Sequence, residues 1–257
     1  LNQTIKMPHR TDAYFDRLQQ AVNTQPEANQ AYPNIKGLMR RVHRKLESNP
    51  MSLKLKMRDG TRADYLLERH DIQRLASGAV SDPSWVKMLL GLYLAIDADF
   101  KAPLEDTLGH FIDIGEPISM RAMSTAMDIA SGMTEVRKQR IGEQAKTALL
   151  RDYLNFTYHY DGIAPDLDLG DTFRTKPVSD LPVLLFSGTL DGRTYIESQL
   201  EAVEGLSNLT AITVKNAGHN LYMSSPDVQK TINRFMENKP IGYQTIIIDL
   251  PDMAPPK

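Results

Sequence analysis

The 257-residue chain contains no cysteine. That excludes disulfides, zinc–thiolate sites and a cysteine nucleophile. It leaves the compartment open, because proteins of either redox environment can lack cysteine. Net charge is also nearly absent: 30 basic and 32 acidic side chains leave −2. There is thus no electrostatic ground for a nucleic-acid partner or an anionic membrane surface. No apolar run reaches the ~18–20 residues of a membrane span. The longest, Trp85 to Ile96, contains Lys87 and reads as a buried helix. Metal and phosphate motifs are missing as well, with no His-Glu-x-x-His and no phosphate loop. The histidines at 9, 43, 70, 110 and 159 have no metal-ligand spacing. Asp166-x-Asp168-x-Gly170 opens like a calcium loop, but Pro177 stands where the twelfth-position Glu is required. Neither a metal nor a cofactor is expected.

What is present is an ordinary globular composition, 41% hydrophobic and 24% charged, compatible with one or two domains. The most informative stretch runs from Leu181 to His219. An apolar run, Leu181 to Phe186, leads into the turn cluster Ser187-Gly188-Thr189-Leu190-Asp191-Gly192-Arg193-Thr194. A helical pattern follows from about Tyr195 to Leu206, then a second apolar run, Leu209 to Val214, and then Asn216-Ala217-Gly218-His219. This order predicts strand, loop, helix, strand, loop. A crossover of that length makes the strands parallel neighbours. Both loops then open on the carboxyl edge of the sheet, where open α/β sheets place their sites. Asp191 and His219, 28 residues apart, are thereby brought together. An acid there can hold a histidine in one tautomer and stabilise its charged form.

These residues resemble the end of an α/β-hydrolase of the proline iminopeptidase and tripeptidyl-aminopeptidase-like group. The resemblance is specific at Ser187 to Thr194 and Asn216 to His219 and loose elsewhere. It implies a Ser-Asp-His triad in that chain order, with Asp191 and His219 as its second and third members. The nucleophile is absent. It belongs in Gly-x-Ser-x-Gly, yet the only glycines four apart are Gly188 and Gly192, with Leu190 between them. The oxyanion-hole donors, which sit on the nucleophile turn and an earlier loop, are missing with it. The chain therefore reads as the carboxyl-terminal part of a serine hydrolase, aminopeptidase-like and inactive alone, whose nucleophile half lies upstream. Its expected partners are a small peptide or small-molecule substrate and that missing half. Two rivals stand beside this reading: an esterase or other small-molecule hydrolase on the same scaffold, and a non-catalytic binding module derived from a hydrolase. A Gly-x-Ser-x-Gly upstream of Leu1 would favour the first reading over the last.

The resemblance also implies an organisation. Residues 1–10 leave the core, 11–165 form a mainly helical cap with a β-hairpin near 52–67, and 166–257 return to the α/β core. Thr11 is read as the cap of a helix to Val22, residues 25–33 as a polar loop, and Asn34 to Leu46 as a helix whose Arg40, Arg41, His43, Arg44 and Lys45 face solvent. Alternation on both sides of Asp59-Gly60 predicts the hairpin. Asp82-Pro83 starts a helix carrying Trp85, Met88, Leu89, Leu92, Tyr93 and Ile96 on its apolar side. Further helices are expected from Pro103 to about Ile114, across Pro117 to Ile129 and from Thr134 to about Leu150, with Met120, Met123 and Met127 in a core or pocket wall. Ser224 or Ser225 caps a helix to about Asn238, Thr245 to Leu250 is a last strand, and the Pro-rich end is loose. Arg193 is expected to pin the Asp191 loop through its guanidinium. An aminopeptidase must bind a substrate ammonium, which makes Asp128 and then Glu116 the candidate recognition carboxylates. With so few strands, self-association through the exposed sheet edge is expected.

Overall fold

The computed structural model describes residues 6–112, 114–115, 122–160 and 162–255. The architecture is α/β: a large helical part with one hairpin, and a three-stranded parallel sheet.

Helix α1 (Pro8–Val22) begins at a proline, whose missing N–H costs nothing there. Thr11 is therefore not its cap. It lies inside the helix, buried, and its hydroxyl bonds to the Tyr195 hydroxyl at 2.8 Å. The stretch read as a polar loop holds a short helix, α2 (Pro26–Ala31). Pro26 at its first position and Glu27 in its first turn are the start signals that reading passed over. In α3 (Ile35–Ser48), Asn34 accepts from the Gly37 N–H at 2.8 Å, a side-chain cap worth about 1 kcal/mol. Its arginines at 40, 41 and 44 are at the surface or its margin, but His43 is buried and bonds to the Tyr93 hydroxyl at 2.8 Å. Desolvation, reinforced by the nearby Arg69, Arg151 and Arg40 charges, lowers the His43 pKa to about 4.

Strands β1 (Met51–Lys56) and β2 (Arg62–Leu67) form the expected antiparallel hairpin, with Lys56 opposite Arg62. Gly60 supplies the positive φ of 84° that the turn needs. Helix α6 (Lys101–Leu108) packs onto it, and α5 (Pro83–Asp97) packs against α3, α4 (Arg69–Ala79) and α6. Asp82 caps α5 by accepting from the Ser84 N–H at 2.9 Å. Trp85, placed on the apolar side by its spacing, is 47% exposed and instead meets the Phe111 ring edge-on. On α7 (Ala122–Ser131), Met123 and Met127 are exposed, so neither belongs to a core; Met120 lies outside the described residues. Thr134 caps α8 (Glu135–Ala145) as expected, though that helix stops short of Leu150. In the connection that follows, α9 (Gly170–Phe173) precedes Arg174, which ion-pairs with Asp168 and Asp171.

The sheet runs β3 (Val183–Gly188), β4 (Leu209–Lys215), β5 (Thr245–Ile247) in spatial order, all parallel. Helix α10 (Ile196–Ala202) is the β3–β4 crossover, and α11 (Pro226–Met236), capped by Ser225, leads to β5. Strand β3 is an edge, as β5 is on the other side. Ile212, Val214, Ala217, Val228 and Ile246 form a small core under the sheet, with Leu184 and Phe186 half-buried beside it. The Pro-rich end is not loose through Ala254. Met253 is fully buried in the main helical core, and Gln25 clamps the segment by bonds to the Pro251 carbonyl (2.9 Å) and the Met253 N–H (2.8 Å). Leu190 and Tyr195, from the loop after β3, belong to that same core.

Candidate active site

The site forms where β3 and β4 end. Gly188 closes β3 so near the following loop that a Cβ there would stand 2.5 Å from both the Ala217 and Gly218 carbonyl oxygens. Only glycine permits that approach. The Leu190 N–H then donates to the Ala217 carbonyl at 2.9 Å, and the two loops run side by side. Asn216 turns the β4 loop with a left-handed φ of 68°. Its N–H donates to the Thr189 hydroxyl at 2.8 Å and its side-chain amide to the Ile248 carbonyl at 2.9 Å.

Asp191 is 1% exposed. A buried carboxylate is costly unless its lone pairs are occupied. Here Oδ1 accepts from the Arg193 and Thr194 N–H groups, both at 2.8 Å, and Oδ2 faces Nδ1 of His219 at 3.0 Å. The imidazole is 34% exposed. A carboxylate at Nδ1 selects the tautomer protonated there, which leaves Nε2 as the basic nitrogen on the open side. Among the described residues, no hydroxyl bonds to Nε2. Beside the pair opens a cavity of ≈ 310 Å³, whose walls include Leu185, Phe186, Gln199, His219 and Leu221.

The supports of this pair come from the helical part. The Gly192 N–H donates to the Val80 carbonyl at 2.8 Å and the His219 N–H to the Ser81 carbonyl at 2.9 Å. Arg17 of α1 donates from Nε to the Thr189 carbonyl at 3.0 Å and from Nη1 to Glu197 at 2.6 Å. It is Arg17, not Arg193, whose guanidinium pins the Asp191 loop. The Arg193 side chain is exposed, and its contribution is the backbone N–H. Nothing in the order of residues marks Arg17. Gly192 and Gly218, flanking the Asp and the His, were the available signal of close approach.

The other candidates are placed as follows. Asp128 lies on α7, partly buried. Glu116 lies outside the described residues. Asp128 and Asp191 both act on one ammonium, that of Lys6. Burial lowers the Lys6 pKa and Arg193 adds to the shift, while the two carboxylates oppose it. The Lys6 backbone is held in turn by the buried Asn155, which donates to its carbonyl and accepts from its N–H, both at 2.6 Å. Among the described residues, no three His, Asp or Glu side chains converge as a metal site. No helix among them is long and apolar enough to cross a membrane.

Parallel strands joined by a helical crossover, with an Asp after one and a His after the next, fit the C-terminal region of an α/β-hydrolase. Residues 169–241 match the family described as TAP-like protein, that is, tripeptidyl-aminopeptidase-like. The matched segment carries β3, α10, β4 and α11 together with Asp191 and His219, and it supports a hydrolase. No curated protein matches the chain.

Proposed function

We propose that this chain carries the Asp–His part of the catalytic machinery of a serine hydrolase that acts as an aminopeptidase-like peptidase. The serine and the oxyanion donors come from an upstream segment. In this reading that serine attacks the scissile carbonyl. His219 takes its proton at Nε2 and returns it to the leaving amine, while Asp191 holds Nδ1–H and offsets the charge of the imidazolium. Residues 11–165 act as a cap over the site and 166–257 as the end of the hydrolase core. The observation that carries the reading is the buried Asp191 carboxylate, saturated on one oxygen by two backbone N–H groups and 3.0 Å from His219 on the other. Asp128 is the proposed partner of the substrate ammonium, supported by the influence it and Asp191 exert on the same lysine. Glu116 is the second candidate.

The test joins the chain to its upstream segment and assays aminoacyl-arylamides beside short-chain nitrophenyl esters. Turnover of arylamides that is abolished by a serine-directed phosphonate and by His219→Ala is the expected result. Ester turnover alone would select the esterase reading. No turnover, with an upstream segment lacking Gly-x-Ser-x-Gly, would select the non-catalytic binding module.

A further inference from the structure

We infer that the turn between α4 and α5, Val80–Ser81, is the positioning element of the Asp191–His219 pair and holds both loops by two successive backbone carbonyls. The inference rests on the catalytic reading of that pair, but its geometry stands apart from it. A helix leaves its last carbonyls without partners. Val80 ends α4 with its N–H bonded back to Ala76, and Pro83 at the start of α5 has no N–H to offer. The carbonyls of Val80 and Ser81 are therefore free to serve other chains of hydrogen bonds. The first accepts from Gly192, the residue after Asp191; the second accepts from His219 itself. One rigid corner thus grips one loop of each strand.

The fit is tight on both sides. A Cβ on Gly192 would overlap the Val80 carbonyl oxygen and side chain. A Cβ on Gly218 would come within 2.7 Å of the Ser81 oxygen and 2.8 Å of the Pro83 ring. The corner is itself stiff, because Pro83 fixes its own φ and Asp82 is held by its bond to the Ser84 N–H. The pairing of β3 with β4 fixes the separation of the strands, but Asp191 and His219 stand beyond the last paired residues, Gly188 and Val214. Their relative position is set by the direct bonds between the loops, from Leu190 to Ala217 and from Asn216 to Thr189, and by this corner, which both loops touch.

The experiment uses this chain and reads the nitrogen-15 shifts of the His219 imidazole, which report the tautomer directly, together with amide exchange. In the wild-type protein the Gly192 and His219 amides should be protected to the same degree and open together. In Gly218→Ala the preference for the Nδ1–H tautomer should fall by about tenfold, the effect of losing one well-placed hydrogen bond, while β3 and β4 amides keep their protection. Gly78→Ala, on α4 with open space around its Cα, should change neither reading. The inference is overturned if Gly218→Ala folds and keeps the wild-type tautomer. It is equally overturned, with no variant needed, if the wild-type Gly192 and His219 amides exchange at unprotected rates or independently. The catalytic reading fails differently. Should Gly218→Ala lose the tautomer while the complete enzyme keeps its kcat, the corner positions the pair and the pair is not catalytic.

Discussion

The helical part and the sheet are built to different standards of closure. Between α1 and α6 the interior is large and continuous: Tyr14, Phe15, Leu18, Ile35, Met39, Leu46, Leu55, Ile72 and Tyr93 are all at or near zero exposure. Among the described residues the sheet and its flanking elements share a core of five buried apolar residues, beside an edge strand with half-buried Leu184 and Leu185 and exposed Leu181, Ile247 and Met236. Asp191 and His219 belong to the weaker unit, yet the contacts that hold their loops come from the stronger one, through Arg17, Val80 and Ser81. Stability and the proposed chemistry are divided between the two, and the Asp191–His219 pair stands at their seam.

The largest expected effect tests the chemistry at that seam. In the complete enzyme, His219→Ala should abolish measurable turnover, and Asp191→Asn should lower kcat by about 10⁴, the scale seen when a triad carboxylate is neutralised. Near-normal kcat in folded variants would make the pair structural. The contrast between the two interiors comes next. Leu90→Ala, in the helical core, should cost ~2–5 kcal/mol in urea unfolding. Leu184→Ala, at the half-buried edge, should cost about 1 kcal/mol or less. Equal losses would erase the distinction drawn above. The same edge should make the isolated chain associate with concentration in light scattering, and Leu185→Lys should suppress this.

A third prediction probes the helical core by pH. Folded, His43 titrates at about 4 against an ordinary 6.5, because burial disfavours its charge. Above pH 6.5 both states are neutral and stability is complete. Between 6.5 and 4 the unfolded chain takes up a proton that the folded one refuses, and about 3 kcal/mol is lost as pH falls. Below 4 this contribution is flat. His43→Gln should remove that slope, and a retained slope would assign it elsewhere. The smallest effect expected is at Asp128: Asp128→Asn should raise KM for free-amine substrates by about tenfold or less, leaving N-acetylated substrates unchanged. Equal changes on both would exclude amine recognition.

What was legible in the sequence follows the same division. The strand–crossover–strand unit, the Asp59-Gly60 hairpin and the caps at Asp82, Thr134 and Ser225 are local patterns, and each is found in place. Asp191 and His219 were legible because topology alone brings successive loop ends to one edge. Their supports were not. Val80 and Ser81 act through carbonyl oxygens that every residue has, so their identity carries no trace of the role. Arg17 lies 172 residues from the loop it pins, and a cation on a helix is ordinarily a solvated one. His43 and Thr11 were assigned by their polar character and turned out buried because each found one hydroxyl partner. The chain end was judged by its prolines, although Met253 had an apolar slot waiting beside α2.

That last contact has a consequence for the sheet. The strand unit is anchored at Leu190 and Tyr195 on one side and at Met253 on the other, all in the helical core. A segment tethered at two points explores a small volume, so its effective concentration at its docking surface stays high even when its own contacts are few. The stretch between Tyr195 and Met253 is thus a closed loop rather than a free end. Asp191, next to the Leu190 tether, should then stay near the Val80–Ser81 corner when the sheet opens, and re-docking of the stretch that carries His219 is an intramolecular event.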